Sequence, residues 1–379
     1  MDIKPITPLD AAVDYFLATL DLHPERDALA AHAAALDGRK RPYPVLYMNH
    51  LYSPDDTTPV RDELILPEVR TASDPLGNLA RELVGKLQPL DMLNPVSSSF
   101  GLGMGTDTLI TCFGVPLDPA TGNSRAFTKP LRQVMECPPP DPANSGLLPE
   151  IRARIEFLKA HTPPRVKIAL PDMQGPFNLV HSLIGEECML APYDDEPGFH
   201  AVMERMTTLW IEARRNLTRW IGFDRMAPIE RHATICECSV NLVSADFYRQ
   251  FILPHDRRIL AAFGPLHIHP CSGPHVFHVT FENLSVAHAE AGYIAKTAAG
   301  AISVDDALKA IGARPILLSI GQELPEGREF DFICADLDRY ARNPRLLFAY
   351  TGMHWRRKDR PLIRDMHRRL DAHWKSRYG

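Results

Sequence analysis

Apolar and polar positions along this chain recur with two periods, one near 3.6 residues and one of 2, and the two alternate from end to end. The longest helical stretch covers about 196–221, where Phe199, Val202, Met203, Met206, Leu209, Trp210 and Ala213 recur at helical spacing and predict one buried stripe. Residues 24–37 read as a helix opened by Pro24 and closed by Gly38. Further helices are expected over 76–88, 147–161, 177–184, 245–263, 305–311, 332–342 and 361–376. Short apolar runs predict strands at 44–49, 96–100, 166–170, 233–238, 266–269, 316–320 and 346–350, with a looser unit across 281–299. The Pro-rich stretch 137–145 reads as a long surface loop.

Strand and helix alternating over this length predict an α/β fold with a parallel sheet covered by helices. A TIM (β/α)8 barrel is the leading form and a doubly wound sheet the runner-up. No Gly-x-Gly-x-x-Gly sits between a strand and a helix, which counts against a dinucleotide fold. The expected organisation is an N-terminal helical extension over 1–40 followed by one barrel domain over 41–379.

Composition narrows the function. The 379 residues are 45% hydrophobic and 23% charged, as in an ordinary soluble protein with a full core. A net charge of -5 gives no electrostatic reason to expect nucleic acid or an anionic membrane as partner. No apolar run approaches the roughly 20 residues of a membrane span, and Met1–Pro5 shows no signal-peptide pattern. Seven scattered cysteines fit a reducing compartment, so a cytoplasmic location is expected.

The stretch Pro265–Gly273 carries the most chemistry. Residues i and i+2 of a strand share a face, so His267, His269 and Cys271 would aim at one point, and imidazole with thiolate suits Zn²⁺. The plainer alternative is two strand-end histidines beside a small buried Cys. In a barrel, reacting groups gather at the strand exits. Those exits offer Asn49 and His50, then Asp172 and Gln174, then Cys236-Glu237-Cys238, then Gln322 and Glu323, then Thr351, Met353 and His354. Asp172 serves equally as a cap for the helix behind it. Cys236 and Cys238 read as packing residues on the face away from Glu237. Glu237 is expected to point inward, where a carboxylate needs a cation, a metal or a substrate beside it.

Several segments resemble the uroporphyrinogen decarboxylase superfamily. Asp172-Met173-Gln174-Gly175-Pro176-Phe177 with the following Leu183-Ile184-Gly185-Glu186-Glu187 is similar to that family's Gly-Pro-Phe…Leu-x-Gly-x-Glu segment. The Ser244–Pro254 helix and the His269-Pro270-Cys271-Ser272-Gly273 turn are similar to two more of its motifs. Phe100-Gly101-Leu102-Gly103 with Cys112-Phe113-Gly114 resembles the Gly-rich segment of its corrinoid-linked branch. The resemblance spans about 40–355 and implies a TIM barrel. Porphyrinogen decarboxylases carry an arginine-rich segment after the first strand, whereas Met48–Ser53 here has no Arg. Holding a polycarboxylate without those bidentate donors would be difficult.

The methyltransferase branch holds zinc on the His-x-Cys pair and a second Cys after the last strand, where this chain reads Gly352-Met353-His354. The resemblance therefore implies a metal site of His269, Cys271 and His354. Glu237 or His267 is an alternative completing ligand, and a site without metal is a further one. Glu237, Asp172 and Asn49 are the expected catalytic residues, and His50, Gln174, Gln322 and His267 the expected substrate or corrinoid contacts. The expected activity is zinc-dependent methyl transfer between a corrinoid (cobalamin), free or on a partner corrinoid protein, and a thiol or small methylated compound. The alternatives are a metal-independent decarboxylase acting on a carboxylated small molecule and a non-catalytic tetrapyrrole-binding barrel. A homodimer is one open possibility for the assembly.

Overall fold

The computed structural model describes residues 8–39, 46–49, 75–87, 96–102, 106–118, 128–269, 274–291, 302–340, 342–351 and 359–378. Among these, eight strands alternate with helices along the chain: β1 (Leu46–Asn49), β2 (Ser99–Phe100), β3 (Lys167–Ile168), β4 (Thr234–Cys236), β5 (Leu266–His269), β6 (Val286–Ala291), β7 (Leu317–Glu323) and β8 (Leu346–Thr351). The protein is thus α/β, as the periodicity predicts. It divides into two compact units, Met1–Phe100 with His161–Arg165 and Ser319–Gly379, and Gly101–Ala160 with Val166–Leu318.

In the first unit, β1 pairs with β8 in parallel, Leu46 beside Phe348 and Asn49 beside Thr351, and β7 lies on the other side of β8. The N-terminal helix Pro8–Leu22 buries Leu9, Ala12, Val13, Phe16 and Leu20 against the Pro75–Gly85 helix, which presents Leu79, Ala80, Leu83 and Val84. Each such leucine contributes about 1.5–3 kcal/mol by leaving water. The 24–37 helix begins later than the sequence suggests. Pro24–Arg26 is a separate 3₁₀ turn, and the helix is Ala28–Leu36. Asp27 makes the break: it is extended, and its carboxylate accepts from the Leu29 and Ala30 amides.

The second unit carries β3 to β6. Its longest helix, Glu196–Ile221, buries all seven of the apolar positions read from the sequence. The expected 245–263 helix is interrupted. A π turn at Tyr248–Ile252 precedes the Leu253–Phe263 helix, because Pro254 has no amide to donate and its ring would crowd a regular turn. β4 and β5 pair in parallel, with Thr234 beside His267 and Cys236 beside His269. β5 and β6 also run parallel, but the register slips between Leu266 and His267. Leu266 lies beside Val286, and His267 then lies beside His288 rather than Ala287. Behind β4, the Gly175 amide donates to the Cys236 carbonyl at 2.8 Å, which ties the loop after β3 to the end of β4. No helix among the described residues is long and apolar enough to cross a membrane.

Candidate active site

A pocket of about 390 Å³ opens over β4, β5 and β6. Its polar wall is made by Asp172 and Gln174 from the loop after β3, Thr234 and Cys236 from β4, His267 and His269 from β5, and Glu290 from β6. Leu170, Met173, Trp210 and Ile229 supply the apolar part. Period-2 geometry explains the polar set, since Thr234 and Cys236 share one face of β4, and His267 and His269 the matching face of β5.

Glu290 is the centre of this wall. One carboxylate oxygen lies 3.0 Å from His267 Nε2, and the other hydrogen-bonds His269 Nδ1. Burial alone would raise the Glu290 pKa, but the hydrogen bonds from His267 and His269 overcome it and hold the group well below the usual carboxylate range. Burial likewise disfavours the His269 imidazolium, yet the Glu290 carboxylate outweighs it and the ring's pKa is raised. His267 is buried, and its Nδ1 is 3.0 Å from Thr234 Oγ1, which fixes the ring. The buried His288 ring stacks on His267 with centroids 3.8 Å apart. Donor atoms of His267, His288 and Glu290 all lie within 4.8 Å of one another.

Asp172 stands exposed at the rim. It does not cap the following helix: Gly175 occupies that position, without a side-chain bond. Instead Asp172 accepts from Gln174 at 3.1 Å, Gln174 accepts from Asn178 at 2.6 Å, and Asn178 accepts the Ser239 amide at 2.7 Å. His181 Nδ1 closes the chain on Ser239 Oγ at 2.8 Å. Among the described residues Arg214 is the one guanidinium on the wall, and its Nη1 and Nη2 donate to Thr218 Oγ1 and to the Glu230 and His232 carbonyls.

Residues 101–319, over half of the 379, match the family model for uroporphyrinogen decarboxylase (URO-D). The chain belongs to the uroporphyrinogen decarboxylase family. A solved methyltransferase from Methanosarcina mazei is similar over 91% of this chain and 98% of that one, with 14% identity and a TM-score of 0.57, a likeness of fold. No curated protein matches the chain.

Within this URO-D-family chain, the structure brings His267, His269, Asp172 and Gln174 to one pocket. It places Glu237 elsewhere. The sequence reading has Glu237 inward and Cys236 away from it; the faces are reversed. Cys236 is on the pocket wall, its Sγ 3.6 Å from Asp172 Oδ1, and burial first, then Asp172, pushes its thiol pKa well up. Glu237 turns to the opposite face, where its carboxyl abuts Gly175 and feels the charge of Asp256, which accepts from the Tyr248 hydroxyl at 2.7 Å. Burial, then the Asp256 charge, raises the Glu237 pKa well above the carboxylate range. Cys238, read as a packing residue, is disulfide-bonded.

Asn49 and Gln322 lie on β1 and β7 of the first unit, where the backbone alone is described. His50, Cys271 and His354 lie outside the described residues. Sequence reasoning missed Glu290 and His288. The run Val286-Ala-His-Ala-Glu-Ala291 alternates with period 2 and ends in two polar side chains on one face, which is the signal that would have found them.

Proposed function

We propose that this protein is a zinc-dependent, corrinoid-linked methyltransferase built on a (β/α)8 barrel. The parallel pairing of β1 with β8 supports a ring, since a doubly wound sheet keeps its first and last strands apart. The observation that carries the activity is the charge of the pocket. Among the described residues its wall holds the carboxyl groups of Asp172 and Glu290, and of Glu230, whose pKa burial raises, while the one guanidinium there, Arg214, is bound to backbone carbonyls and Thr218. Such a wall repels a polycarboxylate porphyrinogen and suits a metal ion and a neutral or cationic methyl compound.

The donors beside His269 fit zinc, an imidazole backed by a carboxylate that fixes its ring. His269 would hold the ion, joined by Cys271 as a free thiolate. Zinc, when bound, lowers the pKa of a coordinated thiol so that sulfur is anionic at neutral pH. The rest falls to the chain's own side chains. Asp172, steadied by the Gln174–Asn178–Ser239 relay, stands where it can take the proton of an entering thiol. Leu170, Met173, Trp210 and Ile229 shield the sulfur from water and seat the apolar part of the substrate. Asn49, His50 and Gln322 are assigned to contacts with the corrinoid or substrate, and Glu237, from the opposite face, to positioning the β4 end.

The test is methyl transfer to a thiol catalysed by Asp172→Asn and Gln174→Ala proteins loaded with zinc. Asp172→Asn is expected to lower kcat about 100-fold at neutral pH, with the loss shrinking as pH rises and the thiol ionises by itself. Equal loss at every pH would remove Asp172 from proton transfer.

A further inference from the structure

The His267–His288–Glu290 cluster goes beyond the methyl-transfer reading and shares with it only the Glu290 carboxylate. Its assembly depends on one feature of β6. Without the slip in register between Leu266 and His267, Ala287 would lie beside His267. The additional residue brings His288 there instead, and Glu290 follows on the same face. The result is two stacked, buried imidazoles and one carboxylate with donor atoms within 4.8 Å of each other. A tetrahedral ion with ligands at about 2.0–2.2 Å brings such atoms to about 3.4 Å, so small side-chain movements close the site.

We propose that His267, His288 and Glu290 bind a divalent first-row transition ion through two imidazoles and one carboxylate, with its remaining coordination positions open to the pocket. Three features support this. Nitrogen donors select zinc, iron(II) or cobalt(II) over magnesium and calcium. The Thr234 hydroxyl holds His267 Nδ1, leaving Nε2 toward Glu290, which is the outer support that metal-binding histidines use. Glu290 already lies within reach of His267, its oxygen 3.0 Å from Nε2, so the carboxylate and the imidazole converge on one point. His267 and Glu290 line the pocket while His288 lies behind them, so the open side of the ion faces the cavity. A site with three protein ligands and an open side is of the catalytic kind.

This ion position uses neither member of the His-x-Cys pair, and that difference is the test. The full chain carrying His269→Ala and Cys271→Ala is loaded with cobalt(II) and studied by X-ray absorption, alongside the same chain with His288→Phe added. One cobalt per chain with only nitrogen and oxygen neighbours, two of them imidazoles, and its loss with His288→Phe in a chain of unchanged circular dichroism, is the expected result. No cobalt in the His269→Ala, Cys271→Ala chain, a single imidazole in its spectrum, or full retention after His288→Phe would overturn the proposal. The imidazole count is read from the His269→Ala, Cys271→Ala chain alone and decides the matter even where His288→Phe fails to fold. Methyl transfer is scored separately, so a failed ion site and a failed methyltransferase reading give different results.

Discussion

Gly175 has no room for a methyl group. A Cβ there would lie 1.9 Å from Glu237 Oε1 and 2.7 Å from Ile235 Cγ2, both buried. Its backbone is ordinary, at φ -61°, so the constraint is one of packing. Gly175→Ala is expected to cost about 1–3 kcal/mol in urea unfolding. The cost should shrink when Glu237→Ala is combined with it, and strictly additive losses would mean that the two do not meet.

His255 sets a pH dependence away from the pocket. It is buried, its Nε2 lies 3.2 Å from His200 Nδ1, and Arg258 sits one turn away on the same helix; Glu196 is 3.9 Å from the far side of His200. Burial first, then His200 and Arg258, push the His255 pKa down from 6.5 to about 4. The native ring is therefore neutral where the unfolded ring takes a proton. Stability from this residue is complete above about pH 6.5 and falls by about 3 kcal/mol as the pH drops toward 4. His255→Leu should flatten the melting temperature across that window, and an unchanged slope would reassign the effect.

At the scale of elements, caps and irregularities matter more than the apolar pattern. Asp27→Ala, which removes the acceptor for the Leu29 and Ala30 amides, should cost about 1 kcal/mol, with Asp27→Asn recovering most of it by chemical denaturation.

These elements also show how far the sequence could be read. The seven apolar positions of Glu196–Ile221 announced a buried face because a regular helix repeats them over many turns. His267 and His269 were legible for the same reason, two residues apart on one strand. The orientation of Glu237 was not. β4 ends at Cys236, and Glu237, at φ -113° and ψ 47°, already belongs to the turn beyond, so extrapolating the strand put it on the wrong face. Glu290 and His288 escaped because their place beside β5 depends on a register slip.

At the scale of the whole molecule, this URO-D-family chain alternates strands and helices, and its described pocket carries the carboxyl groups of Asp172, Glu230 and Glu290 and the imidazoles of His267 and His269 beside the Arg214 guanidinium. That lining is the ground for proposing metal-assisted methyl transfer over decarboxylation of a polycarboxylate. The most direct measurement mixes the zinc-loaded full chain with methylcobalamin and a panel of small thiols, and follows the corrinoid spectrum together with thioether formation. The account predicts one thioether formed for each methylcobalamin converted to cob(I)alamin, and a rate at least about 100-fold lower in His269→Ala. A folded, zinc-bearing protein that forms no thioether with any of the thiols, or an His269→Ala protein as fast as the parent, would contradict it.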